Sequence, residues 1–237
     1  MNFLKKILNL CKSKIWLKGM LSGIYATIEL KELIKGIKTP ETIIDIGSNK
    51  GQFILLIEKI YPNKNIYSFE PIKEMINKQK KFFAYKNNII FHNVALGSST
   101  TLKEFLITAR MDSSSFLKIV SDKNKSKNYD IVENRNIQIN TLDDLLVNEK
   151  ISHPVLIKID VQGYELEVLR GANNLLKKTD YLLLEVSKNE MYQNQPIEKV
   201  IVEYLKNLNF DILKSNNWSK VQNTNFYQRD IIFYKKQ

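Results

Sequence analysis

Val155-Leu156-Ile157-Lys158-Ile159-Asp160-Val161-Gln162-Gly163-Tyr164-Glu165 is a short apolar run closed by an acid, a turn glycine and the first turn of a helix. A run of this length bounded by turn residues reads as a buried strand, Val155 to Ile159, and the apolar spacing after it predicts a helix from Tyr164 to Leu176. The alternation continues outward in both directions. Toward the C-terminus come a strand from Tyr181 to Val186, a helix from Ile197 to Leu208, and strands near Phe210–Leu213 and Asp230–Tyr234. Toward the N-terminus, the strand Thr42 to Ile46 feeds a helix from about Gly51 to Ile60. Asn65 to Phe69 feeds a helix opened by Pro71, and Ile89 to Val94 is a third strand. Strands separated by helices imply a parallel sheet with right-handed crossovers. No helical pattern joins Leu213 to Asp230, so the last two strands should pair antiparallel. The expected fold is a doubly wound α/β domain, with a mainly parallel, seven-stranded, Rossmann-like sheet and an antiparallel strand at its C-terminal edge. Thr101 to Asn140 fits this rhythm least: Leu102–Ile107 and Ile137–Ile139 read as extra strands and Ser121–Asn128 as a polar loop.

From about Phe3 to Ile37, apolar residues recur at three- and four-residue steps between lysines, which predicts a basic amphipathic helical segment ended by Thr39-Pro40. The chain divides there into a basic appendage, residues 1–38, and a main domain, residues 39–237. Eight lysines (5, 6, 12, 14, 18, 31, 35 and 38) against Glu29 and Glu32 give the appendage +6 of the net charge of +11. A basic field attracts nucleic acid, anionic lipid surfaces and phosphorylated substrates alike. The lysines beside Phe3, Leu4, Ile7, Leu8, Trp16 and Leu17 point to peripheral contact with a membrane surface; packing on the core, or on a second copy in a homodimer, is the alternative. The same lysines interrupt every apolar run before it reaches signal-peptide or membrane-span length. The single cysteine, Cys11, excludes an internal disulfide and a multi-cysteine zinc site and suits the cytoplasm. No histidine and carboxylate cluster has metal-ligand spacing, so no metal is expected. His92 and His153 read as structural.

Ligands of an open α/β sheet sit beyond the carboxyl ends of its strands, near the point where strand order reverses. After the first strand comes Asp45-Ile46-Gly47-Ser48-Asn49-Lys50-Gly51, whose glycines permit a tight turn at a helix N-terminus. The spacing is G-x-x-x-G, which is neither the dinucleotide fingerprint nor a P-loop. Glu70 closes the second strand, where a carboxylate can accept two hydrogen bonds from a ribose diol. Together these features favour an adenosyl nucleoside. Asp160 is a carboxylate facing the same cleft, and Glu165 an acid at a helix N-terminus. Glu185, in the fifth main strand, is a candidate for supporting the site. Arg110, Ser113, Ser114 and Ser115 are candidates for an acceptor pocket.

Asp45 to Phe53, Phe69-Glu70-Pro71, Asn93-Val94-Ala95-Leu96-Gly97, Thr141-Leu142-Asp143-Asp144, and Lys158 to Glu165 with Val168-Leu169-Arg170-Gly171 resemble, in order, the motifs of FkbM-type methyltransferases over about residues 40–190. The resemblance implies a class I methyltransferase fold, S-adenosylmethionine as cofactor, and O-methylation of a sugar or glycan hydroxyl, with polyketide-type products as the other acceptor class. It places Asp45, Gly47, Ser48, Asn49 and Gly51 about the methionine part and Glu70 with Pro71 at the ribose. Asn93, Val94 and Ala95 fall at the adenine and Asp160 near the transferred methyl. Gln162 stands where the family often has Glu, which speaks against a base or metal ligand there. Asp160, read as having no basic neighbour to pair with, is the expected proton acceptor or orienting group, with Glu165 second. Nucleic acid is not expected as a substrate. The chain lacks an N-P-P-Y or D-P-P-Y motif, a cysteine in the domain for attack on a pyrimidine, and an RNA-binding module. An adenosyl-binding module without turnover is the non-enzymatic alternative.

Overall fold

The computed structural model describes residues 13–120 and 126–236. Readings placed on residues 1–12, Cys11 among them, and on 121–125 lie outside these. In chain order the first elements are α1 (Lys14–Leu21), α2 (Lys31–Ile34), β1 (Thr42–Ile46), α3 (Gln52–Ile60), β2 (Asn65–Phe69), α4 (Lys73–Phe82) and β3 (Ile89–His92). Next come β4 (Ala95–Leu96), β5 (Thr101–Thr108), β6 (Ile131–Asn140), α5 (Leu142–Leu146), β7 (Val155–Ile159), α6 (Glu165–Arg170) and α7 (Asn173–Lys177). The chain closes with β8 (Tyr181–Ser187), α8 (Glu198–Asn207), β9 (Phe210–Ser215), β10 (Ser219–Lys220) and β11 (Tyr227–Lys235).

The main sheet runs β10-β11-β8-β7-β1-β2-β3, and β9 also pairs with β11. Strands β3, β2, β1, β7 and β8 are parallel, while β11 runs antiparallel to β8. β9 and β10 pair with different lengths of the same flank of β11, so they share the outermost position. All five residues of β1 and of β7 are buried, as a strand covered on both faces requires. Successive residues serve opposite layers. Ile44, Ile46, Ile157 and Ile159 pack with residues of α5 to α8, whereas Ile43, Leu156, Leu183 and Ile232 pack with α1 to α3. Trp16, Ile24, Ala26, Leu33 and Ile34 belong to this second core, so the described part of the basic N-terminal segment is built into the sheet's own packing. No helix among the described residues is long and apolar enough to cross a membrane.

The structure departs from expectation in four places. The long N-terminal helix is broken: α1 ends at Leu21 before Ser22-Gly23, and only a short helical piece and α2 follow. The helix expected from Tyr164 to Leu176 is two, α6 and α7, divided at Gly171, where a Cβ would lie 2.0 Å from the Gly97 carbonyl oxygen. β3 stops at His92, and Ala95–Leu96 leaves for a second sheet. That sheet, β4-β6-β5, pairs Thr101–Thr108 with Ile131–Asn140 antiparallel. The polar alternation of β6 reflects its exposure.

Candidate active site

The chain winds from β1 out to β3 on one side and returns to β7 and β8 on the other, so strand order reverses between β1 and β7. A ligand crevice belongs at their carboxyl ends. There Gly47 has φ of 72°, and a Cβ on it would stand 1.8 Å from the Asp160 carbonyl oxygen. Only glycine lets the two strand ends come this close. The turn is tied to β2 by the Gly47 and Ser48 N–H groups, which donate to Phe69 O at 3.0 and 3.1 Å. Gln79 of α4 braces it from behind, Nε2 donating to Asn49 O at 2.5 Å and to Ser48 Oγ at 2.8 Å. Glu70 accepts the Asn49 N–H at 2.7 Å and the Ile72 N–H at 2.8 Å. Burial pushes its carboxyl up to about 7, against the opposing pull of those two N–H groups.

These residues wall a cleft of about 320 Å3. Of the residues expected in a site, Gly47, Ser48, Asn49, Glu70, Pro71, Val94, Ala95 and Asp160 line it, with Arg110, Ser113, Ser114 and Glu185. Thr27 and Glu29, from the N-terminal segment, line it too. Five expected residues do not. Asp45 is wholly buried beneath the turn, Gly51 opens α3 in the left-handed region, and Asn93 donates to Glu70 O and Pro71 O, both at 2.9 Å. Glu165 is also buried, and its Oε1 accepts the Val161 and Gly163 N–H groups at 3.2 and 3.1 Å. Burial pushes this carboxyl up to about 7. Its work is to hold the turn after β7, which removes it as the second candidate for proton transfer. Ser115 likewise serves that turn, donating to Gln162 O at 2.7 Å. His92 stacks on Phe69 with ring centres 4.5 Å apart, and His153 pairs with Asp180 at 2.9 Å; neither lines the cleft.

The expectation that Asp160 lacks a basic neighbour is corrected. Residues two apart on a strand share a face, and Lys158 Nζ lies 3.3 Å from Asp160 Oδ2 and 3.5 Å from Asp45 Oδ1. Burial alone would lower the Lys158 pKa, but Asp160 and Asp45 outweigh it and hold the ammonium above its ordinary value. Burial raises Asp45, with Lys158 opposing. Further along, Gln162 Nε2 donates to Asp160 Oδ1 at 2.9 Å and reaches Glu185 Oε2 at 3.4 Å. The Tyr192 hydroxyl donates to Gln162 Oε1 at 2.8 Å, which fixes the direction of the amide.

Lys158, Gln79 and Tyr192 are the functional-site residues that the sequence reading left without a role. Two of them carry a signal. Lys158 is the one charge in a strand otherwise apolar, and Gln79 is a polar residue on the helix stripe of Met75, Ile76 and Phe82. Tyr192 follows β8 in irregular chain, where no periodicity marks it.

Residues 45–212 match the Methyltransferase FkbM domain. The chain belongs to the FkbM methyltransferase family. It is similar to Methyltransferase 1 of Beauveria bassiana, 27% identical over 56% of this chain and 58% of that protein. Hexuronic acid methyltransferase AglP of Haloferax volcanii is 24% identical over 73% of this chain and 66% of that protein. The 2-O-methyltransferase NoeI of Sinorhizobium fredii is 23% identical over 74% and 75%. The chain thus spans less than two thirds of the length of the first two of these relatives. Among solved structures, TrmK of M. capricolum in complex with S-adenosylhomocysteine superposes with a TM-score of 0.53 at 11% identity, covering 89% of this chain and 69% of that one. At that identity the likeness concerns the fold, which is the mainly parallel class I methyltransferase sheet.

Proposed function

We propose that this FkbM-family chain transfers a methyl group from S-adenosylmethionine to a hydroxyl of a sugar or glycan. The observation that carries the reading is the meeting of the Gly47 turn, Glu70 and Asp160 around one cleft at the switch point. The residues fit the donor. The turn from Gly47 to Asn49 lines the cleft, Asn49 Oδ1 is buried without a hydrogen-bond partner among the described residues, and Glu70 keeps free acceptor lone pairs beside the two N–H groups it holds. Glu70 would take the ribose diol, Val94 and Ala95 the adenine, and the turn from Gly47 to Asn49 the methionine part. When bound, S-adenosylmethionine supplies an electrophilic methyl on a sulfonium.

The protein's part is then mostly placement, because an in-line displacement gains most from holding the acceptor oxygen on the axis of attack. Asp160, level with the Gly47 turn and anchored by Lys158, orients the acceptor hydroxyl. Ser113, Ser114 and Arg110 stand on the same cleft; Arg110 is paired with Asp112 at 2.7 Å, which leaves it little excess charge. A sugar acceptor is supported by the name of AglP, a hexuronic acid methyltransferase, and transfer to oxygen by that of NoeI, a 2-O-methyltransferase. A polyketide-type acceptor draws no such support.

The test is label transfer. Protein incubated with methyl-labelled donor and a panel of methyl glycosides, hexuronic acid glycosides and sugar nucleotides should place label on a sugar as a methyl ether. Label appearing on RNA, or donor binding with no transfer to any hydroxyl, would overturn the acceptor assignment.

A further inference from the structure

On the methyl-transfer reading above, the acceptor hydroxyl must give up a proton. Asp160 is poorly free to take it, since Lys158 Nζ at 3.3 Å and Gln162 Nε2 at 2.9 Å already engage its two carboxylate oxygens. One strand over stands Glu185. β8 runs parallel to β7 with Leu184 opposite Ile159, so Glu185 is level with Asp160 and leaves the same face of the sheet. It lines the same cleft. Among the described residues it forms no ion pair, and its hydrogen-bond contact is Gln162 Nε2 at 3.4 Å. We propose that Glu185 is the proton acceptor, held beside Asp160 by the Gln162 amide that Tyr192 keeps in one orientation.

In that step the hydroxyl O–H bond breaks and its proton moves to a Glu185 oxygen. The electron pair stays on the acceptor oxygen, which bonds to the methyl carbon as that carbon's bond to sulfur breaks with its pair going to sulfur. The surroundings suit the task. Burial first, then the carboxylates of Asp160 on β7, Asp230 on β11 and Glu165 on α6, raise the Glu185 pKa, with Lys158 opposing. Tyr192, facing it from the segment after β8, is itself pushed up by burial and by Glu185. A raised carboxylate is better matched to a hydroxyl proton than an ordinary one.

The experiment compares wild type, Glu185→Gln, Glu185→Asp and Asp160→Asn. The first readout is a carboxyl-carbon NMR titration of the ligand-free protein. One glutamate resonance, absent from Glu185→Gln, should titrate above the ordinary carboxylate range; a Glu185 that titrates normally overturns the proposal without any acceptor in hand. S-adenosylhomocysteine should bind Glu185→Gln within about twofold of wild type. With a sugar acceptor, Glu185→Gln should lose about 10²- to 10⁴-fold in kcat, the cost of removing a general base, together with the rise of rate with pH. Glu185→Asp should keep that rise at a reduced rate. Wild-type turnover in Glu185→Gln, or a pH rise lost in Asp160→Asn instead, would overturn the assignment. Failure of wild type to bind S-adenosylhomocysteine would overturn the methyl-transfer reading itself.

Discussion

Two side chains at the switch point carry opposite kinds of consequence. Glu70 has a carboxyl pushed up to about 7 by burial, and its ionised form accepts from a diol more strongly than the protonated acid, in which one oxygen becomes a donor. Affinity for S-adenosylhomocysteine should therefore be constant above about pH 7 and fall as pH drops below it, by at most about tenfold per unit for one proton. Glu70→Gln should flatten that dependence and bind weakly throughout; calorimetry from pH 5 to 8 reads both, and a wild-type affinity indifferent to pH would contradict the role. Lys158 concerns stability. It is the counter-charge of a fully buried Asp45, so Lys158→Met leaves a carboxylate unpaired in the core and should cost about 3–5 kcal/mol in denaturant unfolding. The double variant with Asp45→Asn should recover much of that loss. No recovery would place the contribution of Lys158 in its packing or its Asp160 pair and not in Asp45.

At the scale of elements, the strands with both faces buried were the legible ones. β1, β2, β7 and β8 lie where apolar runs end in a glycine or an acid, since burial on both faces admits few other compositions. The second sheet was harder to see, because β6 is long, exposed and rich in Asn, and its partner β5 lies across a polar loop. The site followed the same division. Residues at strand ends were readable from position, whereas the Gln79 brace and the Gln162–Tyr192 clamp depend on elements far apart in sequence. The break between α6 and α7 has a spatial cause too, the approach of Gly171 to the Gly97 carbonyl. Gly171→Ala would place a Cβ 2.0 Å from that oxygen, and should shift the unfolding midpoint to lower denaturant and loosen the packing of α6. The N-terminal segment offers the sharpest element-level test. Trp16 of α1 is 7% exposed, and its Nε1 donates to Leu55 O at 3.0 Å. Trp16→Ala should cost about 3–5 kcal/mol, as truncation of a buried aromatic does. A loss below 1 kcal/mol would show that α1 is only lightly attached.

Across the whole molecule, one sheet order explains why distant motifs converge. Because the chain leaves β1 in one direction and returns beside it as β7, Gly47, Glu70, Asp160 and Glu185 arrive at a single crevice from four strands. The FkbM domain covers those four strand ends, while Thr27 and Glu29 add a wall from outside it. The central claim is that this crevice is built for an adenosyl sulfonium donor. A calorimetric titration of the full chain with S-adenosylhomocysteine and, separately, with NAD tests it most directly. The account predicts saturable one-to-one binding of S-adenosylhomocysteine, weakened by Glu70→Gln, and no binding of NAD, since the pyrophosphate fingerprint is missing. Binding of NAD with indifference to S-adenosylhomocysteine would contradict it.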